Sequence, residues 1–236
     1  MIHVTIFNEF FHERIDDEAK SCYPEGIHKT LAGFLGSDEI AVRTVTLLDE
    51  NCGITEEVLK DTDVLVWWGH MKHDDVPDEI AEMVKQQVLC GMGMVFLHSA
   101  HHSKPFRLLM GTTCNVSWRE DGDHEYLWPV DIGHPITQGI GRYIELEHEE
   151  TYCEPFEIPE PDKLLFLGSF EGGEAFRAGC CYRRQHGKIF YFQPGHETYP
   201  TYYNKDIQTV IRNAVYWALP EYRTDVLECP HIEKMK

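Results

Sequence analysis

The chain has no long apolar run, no basic surface and none of the compact linear metal or redox signatures. Its longest uninterrupted apolar stretch is a few residues, too short to cross a bilayer. Basic residues are scarce: 21 Lys and Arg stand against 40 Asp and Glu, for a formal net charge of −19. That field repels nucleic acid and anionic membranes, both of which are bound through clustered Lys and Arg. The one dense basic spot, Arg183-Arg184, is too small to reverse it. Among eight cysteines there is no C-x-x-C pair, and the neighbours Cys180 and Cys181 are poor partners for each other, so reduced thiols in a cytoplasmic protein are expected. H-E-x-x-H and the G-x-S-x-G frame are missing too. The opening Met1-Ile2-His3-Val4-Thr5-Ile6-Phe7 lacks a basic segment and a cleavage site, and reads as a first strand, not a signal peptide.

What is present suffices for one large core. With 236 residues and 42% hydrophobic content, the expectation is a single α/β domain over 1–220 and a polar, loosely packed tail over 221–236. Strand and helix patterns alternate through the first hundred residues: strands at 2–7, 41–48, 63–68 and 94–98, helices at 27–35, 55–60 and from Pro77 to about Leu89. The continuous apolar run at 63–68 suits a strand buried on both faces. This β-α order predicts a mostly parallel, doubly wound sheet with right-handed crossovers. The middle is less regular, with strands expected near 127–132 and 142–147. A strand pair at 164–170 and 176–182, a strand at 188–193 and a helix at about 205–218 complete the pattern.

Histidine is the conspicuous excess, at 14 residues, and most of it follows predicted strands. His70 and His73 come after Val64–Trp68, His98, His101 and His102 after Met94–Leu97, and His196 after Ile189–Phe192. In an open α/β sheet the ligand site lies outside the carboxyl ends of the strands. Four segments therefore carry candidate chemistry. In the first, His98-Ser99-Ala100 forms an elbow-like turn in which Ser99 is a candidate nucleophile with His98 or His196 as base. His101 and His102 are adjacent and cannot easily face one point, so one of them, His102, is assigned to the pocket with His98.

The second is Pro194-Gly195-His196-Glu197, where a rigid turn delivers an imidazole and a carboxylate together. The third is Glu145–Thr151, in which strand alternation would put His148 and Glu150 on one face and Glu147 and Glu149 on the other. The fourth is Trp68-Gly69-His70, where Trp68 would stack on a sugar ring and His70 would line the pocket. Together they make a divalent metal, zinc foremost, an expectation. His98 or His102, His148 and His196 would be the ligands, and Glu150 or Glu197 the general base.

These motifs, with Phe96-Leu97-His98-Ser99-Ala100-His101-His102-Ser103, Glu149-Glu150-Thr151-Tyr152 and the closing Arg212-Asn213-Ala214-Val215-Tyr216-Trp217-Ala218, resemble the trehalose-utilisation (ThuA-like) family over about residues 1–218. The resemblance implies a flavodoxin-like three-layer α/β sandwich with a mostly parallel central sheet, similar to class I glutamine amidotransferases. Those enzymes carry a cysteine at the elbow; here the turn reads His98-Ser99-Ala100, which counts against glutamine hydrolysis. The family implies a role in disaccharide catabolism, on a disaccharide or a 3-keto sugar, with a small-molecule sugar as partner. A metal-independent serine hydrolase and a non-catalytic sugar-binding or assembly protein are the alternatives. The tyrosine and tryptophan content fits a homo-oligomer.

Overall fold

The computed structural model describes residues 1–235; residue 236, the end of the expected tail, lies outside the described residues. The chain opens with β1 (Ile2–Asn8) and three helical segments, α1 (His12–Ile15), α2 (Asp17–Cys22) and α3 (Ile27–Leu35). β2 (Ile40–Thr46), α4 (Glu56–Lys60), β3 (Val64–Trp68), α5 (Asp78–Leu89), β4 (Gly93–Leu97) and α6 (Lys104–Met110) follow. Then come four strands in succession, β5 (Ser117–Pro129), β6 (Ile144–Cys153), β7 (Lys163–Phe170) and β8 (Ala175–Arg184), before β9 (Gly187–Phe192) and α7 (Lys205–Ala218).

Among the described residues nine strands form one sheet, ordered β2-β1-β3-β4-β9-β8-β7-β5-β6. The first five are mutually parallel; from β9 onward each pairing is antiparallel. The parallel part has flavodoxin-like order, with its switch point between β1 and β3. From β1 the chain moves to one side to reach β2, and from β3 to the other side to reach β4. Right-handed crossovers therefore place α3 and α5 on opposite faces. α7 lies on the α3 side, where Arg212 Nη2 donates to the Phe34 carbonyl at 2.5 Å. β3 and β4 are buried at every position, as their unbroken apolar sequences require. Thr55 caps α4 by accepting from the Val58 N–H.

The irregular middle departs from the expected boundaries. Expected strands at 127–132 and 142–147 become Ser117–Pro129 and Ile144–Cys153. The first half of β5, Ser-Trp-Arg-Glu-Asp-Gly-Asp, has no apolar alternation because it forms a wet lip over the sheet end. The β5–β6 ladder also slips twice. Arg119 pairs with Thr151 and Asp123 with Glu149, which inserts extra residues in β5; Glu125 then pairs with Leu146, which inserts one in β6. Past that second slip the facing of β6 changes phase: Glu147 and His148 are both exposed, while Glu149 and Glu150 are both buried.

No helix among the described residues is long and apolar enough to cross a membrane. The tail is anchored at its start: Arg223 donates to the carbonyls of Thr62 at 2.7 Å and Leu59 at 2.6 Å, and the Thr224 N–H donates to the Cys90 carbonyl at 3.0 Å. Loose packing applies only beyond that point, where residues 226 and 228–235 are exposed.

Two stability experiments follow. Arg223→Ala should lower stability by roughly 1.5–3 kcal/mol, the usual worth of hydrogen bonds from a charged group, whereas truncation after residue 226 should leave the thermal midpoint unchanged. The second concerns Glu125, fully buried on β5 with neither carboxylate oxygen hydrogen-bonded. Burial, reinforced by nearby Glu149, holds its carboxyl well above the usual range. Its folded pKa exceeds its unfolded one, so the native state keeps a proton that the unfolded chain gives up. That contribution is complete below the ordinary glutamate pKa and is lost as pH rises. Glu125→Gln should therefore gain on the natural chain between pH 5 and 7 in denaturant titrations, by up to about 1.4 kcal/mol per pH unit.

Candidate metal centre

Each parallel strand near the switch point ends in a chemically committed residue. Glu9 follows β1, His70 follows β3 by one glycine, His98 follows β4 directly and His196 follows β9 after Gln193-Pro194-Gly195. Two buried carboxylates hold the loops in place. Glu9 accepts the backbone N–H groups of His70, Met71 and Lys72 at 2.8, 2.9 and 2.8 Å. Glu149 accepts those of Gly195 and His196 at 2.9 and 3.0 Å, and also the Thr201 hydroxyl at 2.7 Å. Gly195 is required in that turn: its φ is +129°, and a Cβ there would lie 2.0 Å from Tyr202 Oη.

The elbow after β4 is made by His98, whose φ of +54° is uncommon for a side-chain-bearing residue. It opens the 3₁₀ turn His98–His102 and turns its imidazole over the sheet end. Ligand atoms of His70, His98, Glu150 and His196 all lie within 4.8 Å of one another. Three of the four residues are buried, and His98 Nε2, Glu150 Oε2 and His196 Nε2 are solvent-free with no hydrogen-bond partner among the described residues. His98 Nε2 is 3.0 Å from Glu150 Oε2, close enough to pair in charge yet out of line for a hydrogen bond.

The other ring nitrogen of every imidazole is engaged. His98 Nδ1 meets the Gln193 carbonyl at 3.0 Å, His196 Nδ1 the Thr198 hydroxyl at 2.8 Å, and His70 Nδ1 the Glu197 carboxylate at 2.8 and 2.9 Å. Outer partners of this kind fix ring orientation and tautomer in metal sites. Buried polar atoms rarely stay unpartnered, and three imidazoles with one carboxylate form a donor set suited to a divalent transition ion.

The electrostatics agree. Burial lowers His98, but Glu150 outweighs it and raises the imidazole to about 9. Burial would raise Glu150, but His98 and the other imidazoles together hold it below the usual range. His196, buried and beside His98, falls to about 4 despite Glu197. Glu197 is buried too, yet the imidazoles of His12 and His70 against it keep its carboxyl far below its ordinary value. His12 Nδ1 is 2.8 Å from Glu197 Oε1, giving a second grouping, His12-His70-Glu197, that shares His70 with the first. At the mouth, half-exposed Glu120 reaches within 3.5 Å of His196 Nε2. Burial, with Glu150 and Glu197 nearby, raises its pKa.

His70, His98, Glu150 and His196, expected at one site, are brought together. His148 is not: the β6 slip turns it outward, where its Nδ1 meets the Gly122 carbonyl at 2.9 Å. His102 also stays out of the group, with its ring 5.8 Å from that of His73. Trp68 cannot touch a sugar, because it is fully buried and donates its indole N–H to the Gly195 carbonyl at 3.0 Å. Ser99 Oγ shares its hydrogen bond with the Tyr152 hydroxyl at 2.7 Å, not with an imidazole, so the geometry supplies it no base. Glu197 is spent on orienting imidazoles, and Glu150 belongs to the donor set. Sequence reasoning missed Glu9, His12 and Glu120. Glu9 directly follows the first strand and was findable by the strand-end argument; Glu120 stands in a charged stretch with no pattern to mark it.

The family model for trehalose utilisation (ThuA) matches residues 3–218. No curated protein matches the sequence. Among solved structures, a ThuA-like protein from Parabacteroides merdae aligns with a TM-score of 0.69 at 16% identity, covering 96% of this chain and 92% of that one. A protein of Salmonella typhimurium LT2 described as cytoplasmic aligns at 0.61 and 13% identity, over 93% of this chain and all (100%) of that one. A glutamine amidotransferase from Thermotoga maritima aligns at 0.55 and 11% identity, over 92% and 97%. At these identities the likenesses establish the fold.

The hold on the His70 loop can be tested through Glu9. Glu9→Gln replaces one acceptor oxygen with a donor that faces backbone N–H groups. It should cost about 1.5–3 kcal/mol in chemical denaturation. A stability equal to that of the natural chain would show that the loop is held by something else.

Proposed function

The chain belongs to the trehalose-utilisation (ThuA) family, and from that premise we propose that it is an enzyme acting on a disaccharide or its 3-keto form at a divalent transition-metal centre. The ion, zinc foremost, is held by His70, His98, Glu150 and His196. One observation carries the reading: three solvent-free donor atoms, His98 Nε2, Glu150 Oε2 and His196 Nε2, converge without a hydrogen-bond partner among the described residues while the far nitrogen of each imidazole is tied down. A bound ion of this kind polarises a carbonyl or hydroxyl oxygen and lowers the pKa of water.

The residues around the centre divide the remaining work. Glu197 orients His70 and His12 and supplies negative charge behind the cluster. Glu149 and Glu9 hold the two ligand-bearing loops at fixed spacing. Glu120, with 46% of its side chain exposed and its carboxylate facing His196, is the group placed to take a proton from a bound sugar or return one. The sequence expectation gave that role to Glu150 or Glu197; the geometry favours Glu120, whose carboxylate keeps a free side toward solvent.

Elemental analysis of the purified full chain should find one divalent transition ion per molecule. Chelation should abolish turnover of trehalose, sucrose or their 3-keto derivatives, and the ion should restore it. His98→Ala and His196→Ala should lose both metal and turnover, and Glu197→Gln should weaken metal binding by about 10–100-fold, the usual effect of removing an outer partner. A metal-free protein with undiminished activity would overturn the assignment.

A further inference from the structure

Beside Glu150 the surface opens into a cavity of about 210 Å³. Its walls include Ser99, Tyr152, His102, Asn115, Met71 and Trp118, and it shares His70 and Glu150 with the centre. Among the described residues neither Lys nor Arg lines it, so its walls offer no strong cation to a phosphate or a carboxylate. Apart from imidazoles, its ionisable walls among the described residues are Glu150 and the buried Tyr152 hydroxyl. Burial lowers His73 and His101, which also face this cavity, to about 3, so both rings are neutral near pH 7. Neutral imidazoles, an amide and hydroxyls are donor–acceptor groups matched to sugar hydroxyls.

Trp118 supplies the other half of the fit. The residue is 64% exposed, an unusual state for a tryptophan, at the rim of a cavity whose walls mix polar groups with Met71 and Val116. It lies two residues from Glu120 on β5, and both reach the site from the lip, Trp118 at this cavity and Glu120 at His196. Between them Arg119 points the other way and clamps the lip: its guanidinium donates to Glu174 at 3.2 and 3.0 Å and pairs with Asp121 and Asp123. The indole is thus presented on an anchored strand segment, in keeping with a preorganised binding surface.

We propose that Trp118 and this cavity form the recognition subsite for one uncharged pyranose ring. The apolar C–H face of the ring lies on the indole, and its hydroxyls meet Asn115, His102 and Ser99. At about 210 Å³ the cavity is smaller than the roughly 300–1,000 Å³ of pockets for larger ligands, in keeping with a single ring. The ring's reacting edge then faces Glu150 and His70, while a second ring of a disaccharide lies outside, over exposed Met71. The proposal rests on the sugar-utilisation reading above, but not on the metal.

The test is calorimetric titration of the full chain, as purified, with glucose, methyl glucoside, trehalose and glucose 6-phosphate, alongside metal analysis of every variant. The natural chain should bind the three uncharged sugars with similar affinity and the phosphorylated sugar much more weakly. Trp118→Ala should weaken that binding at least tenfold, Trp118→Phe should restore most of it, and metal content should be the same in all three proteins. Unchanged sugar affinity in Trp118→Ala, or no binding of any uncharged sugar by the natural chain, would overturn the subsite. Trp118-dependent sugar binding by a protein that carries no metal would support the subsite while defeating the metal-centred function, so the two failures are separable.

Discussion

The site depends on buried carboxylates that grip backbone N–H groups. A loop leaving a strand has no ladder to fix it, and a ligand-bearing loop that wanders by an ångström cannot hold an ion. Glu9 collects three consecutive N–H groups from the His70 loop, and Glu149 collects those of Gly195 and His196. Charge-assisted bonds of this kind are shorter and stronger than neutral ones. Each carboxylate would be costly to bury alone and is stabilised because the loop surrounds it with donors. Loop and carboxylate therefore order one another, and the two imidazoles inherit their positions.

The same economy governs the centre. His98 sits at the strained position after β4 from which enzymes with elbow turns present a nucleophile. Here that pedestal offers an imidazole nitrogen, and the residue after it, Ser99, hydrogen-bonds to Tyr152. In this chain the raised turn carries a side chain of a metal-donor type. The surrounding carboxylates, Glu120, Glu150 and Glu197, give the site a negative character that suits a cation at its middle.

Most of the parallel half was legible in the sequence, because buried strands write themselves as apolar runs such as Val64-Leu65-Val66-Trp67-Trp68 and the glycines and caps mark the ends. For the same reason His70, His98 and His196 could be assigned to one rim. The antiparallel half was not, since β5 begins in a charged lip whose alternation is erased by solvent. His148 was misplaced because period-2 reasoning assumes an unbroken ladder, and the β5–β6 pairing slips between Asp123 and Glu125. Trp68 was misjudged because a tryptophan at a strand end reads the same whether it faces solvent or core. Trp118 stood in a stretch that offered no periodicity to locate it.

That slip in β6 has a consequence for how the family can vary. A single surplus residue decides whether an acid or an imidazole from the Glu147–Glu150 stretch looks inward, so the chemistry there is coupled to chain length as well as to residue type. A relative that lacked the surplus residue would present the opposite set of side chains to the same rim without any point substitution. Strand length at this position is then a discrete selector of which side chains face the rim.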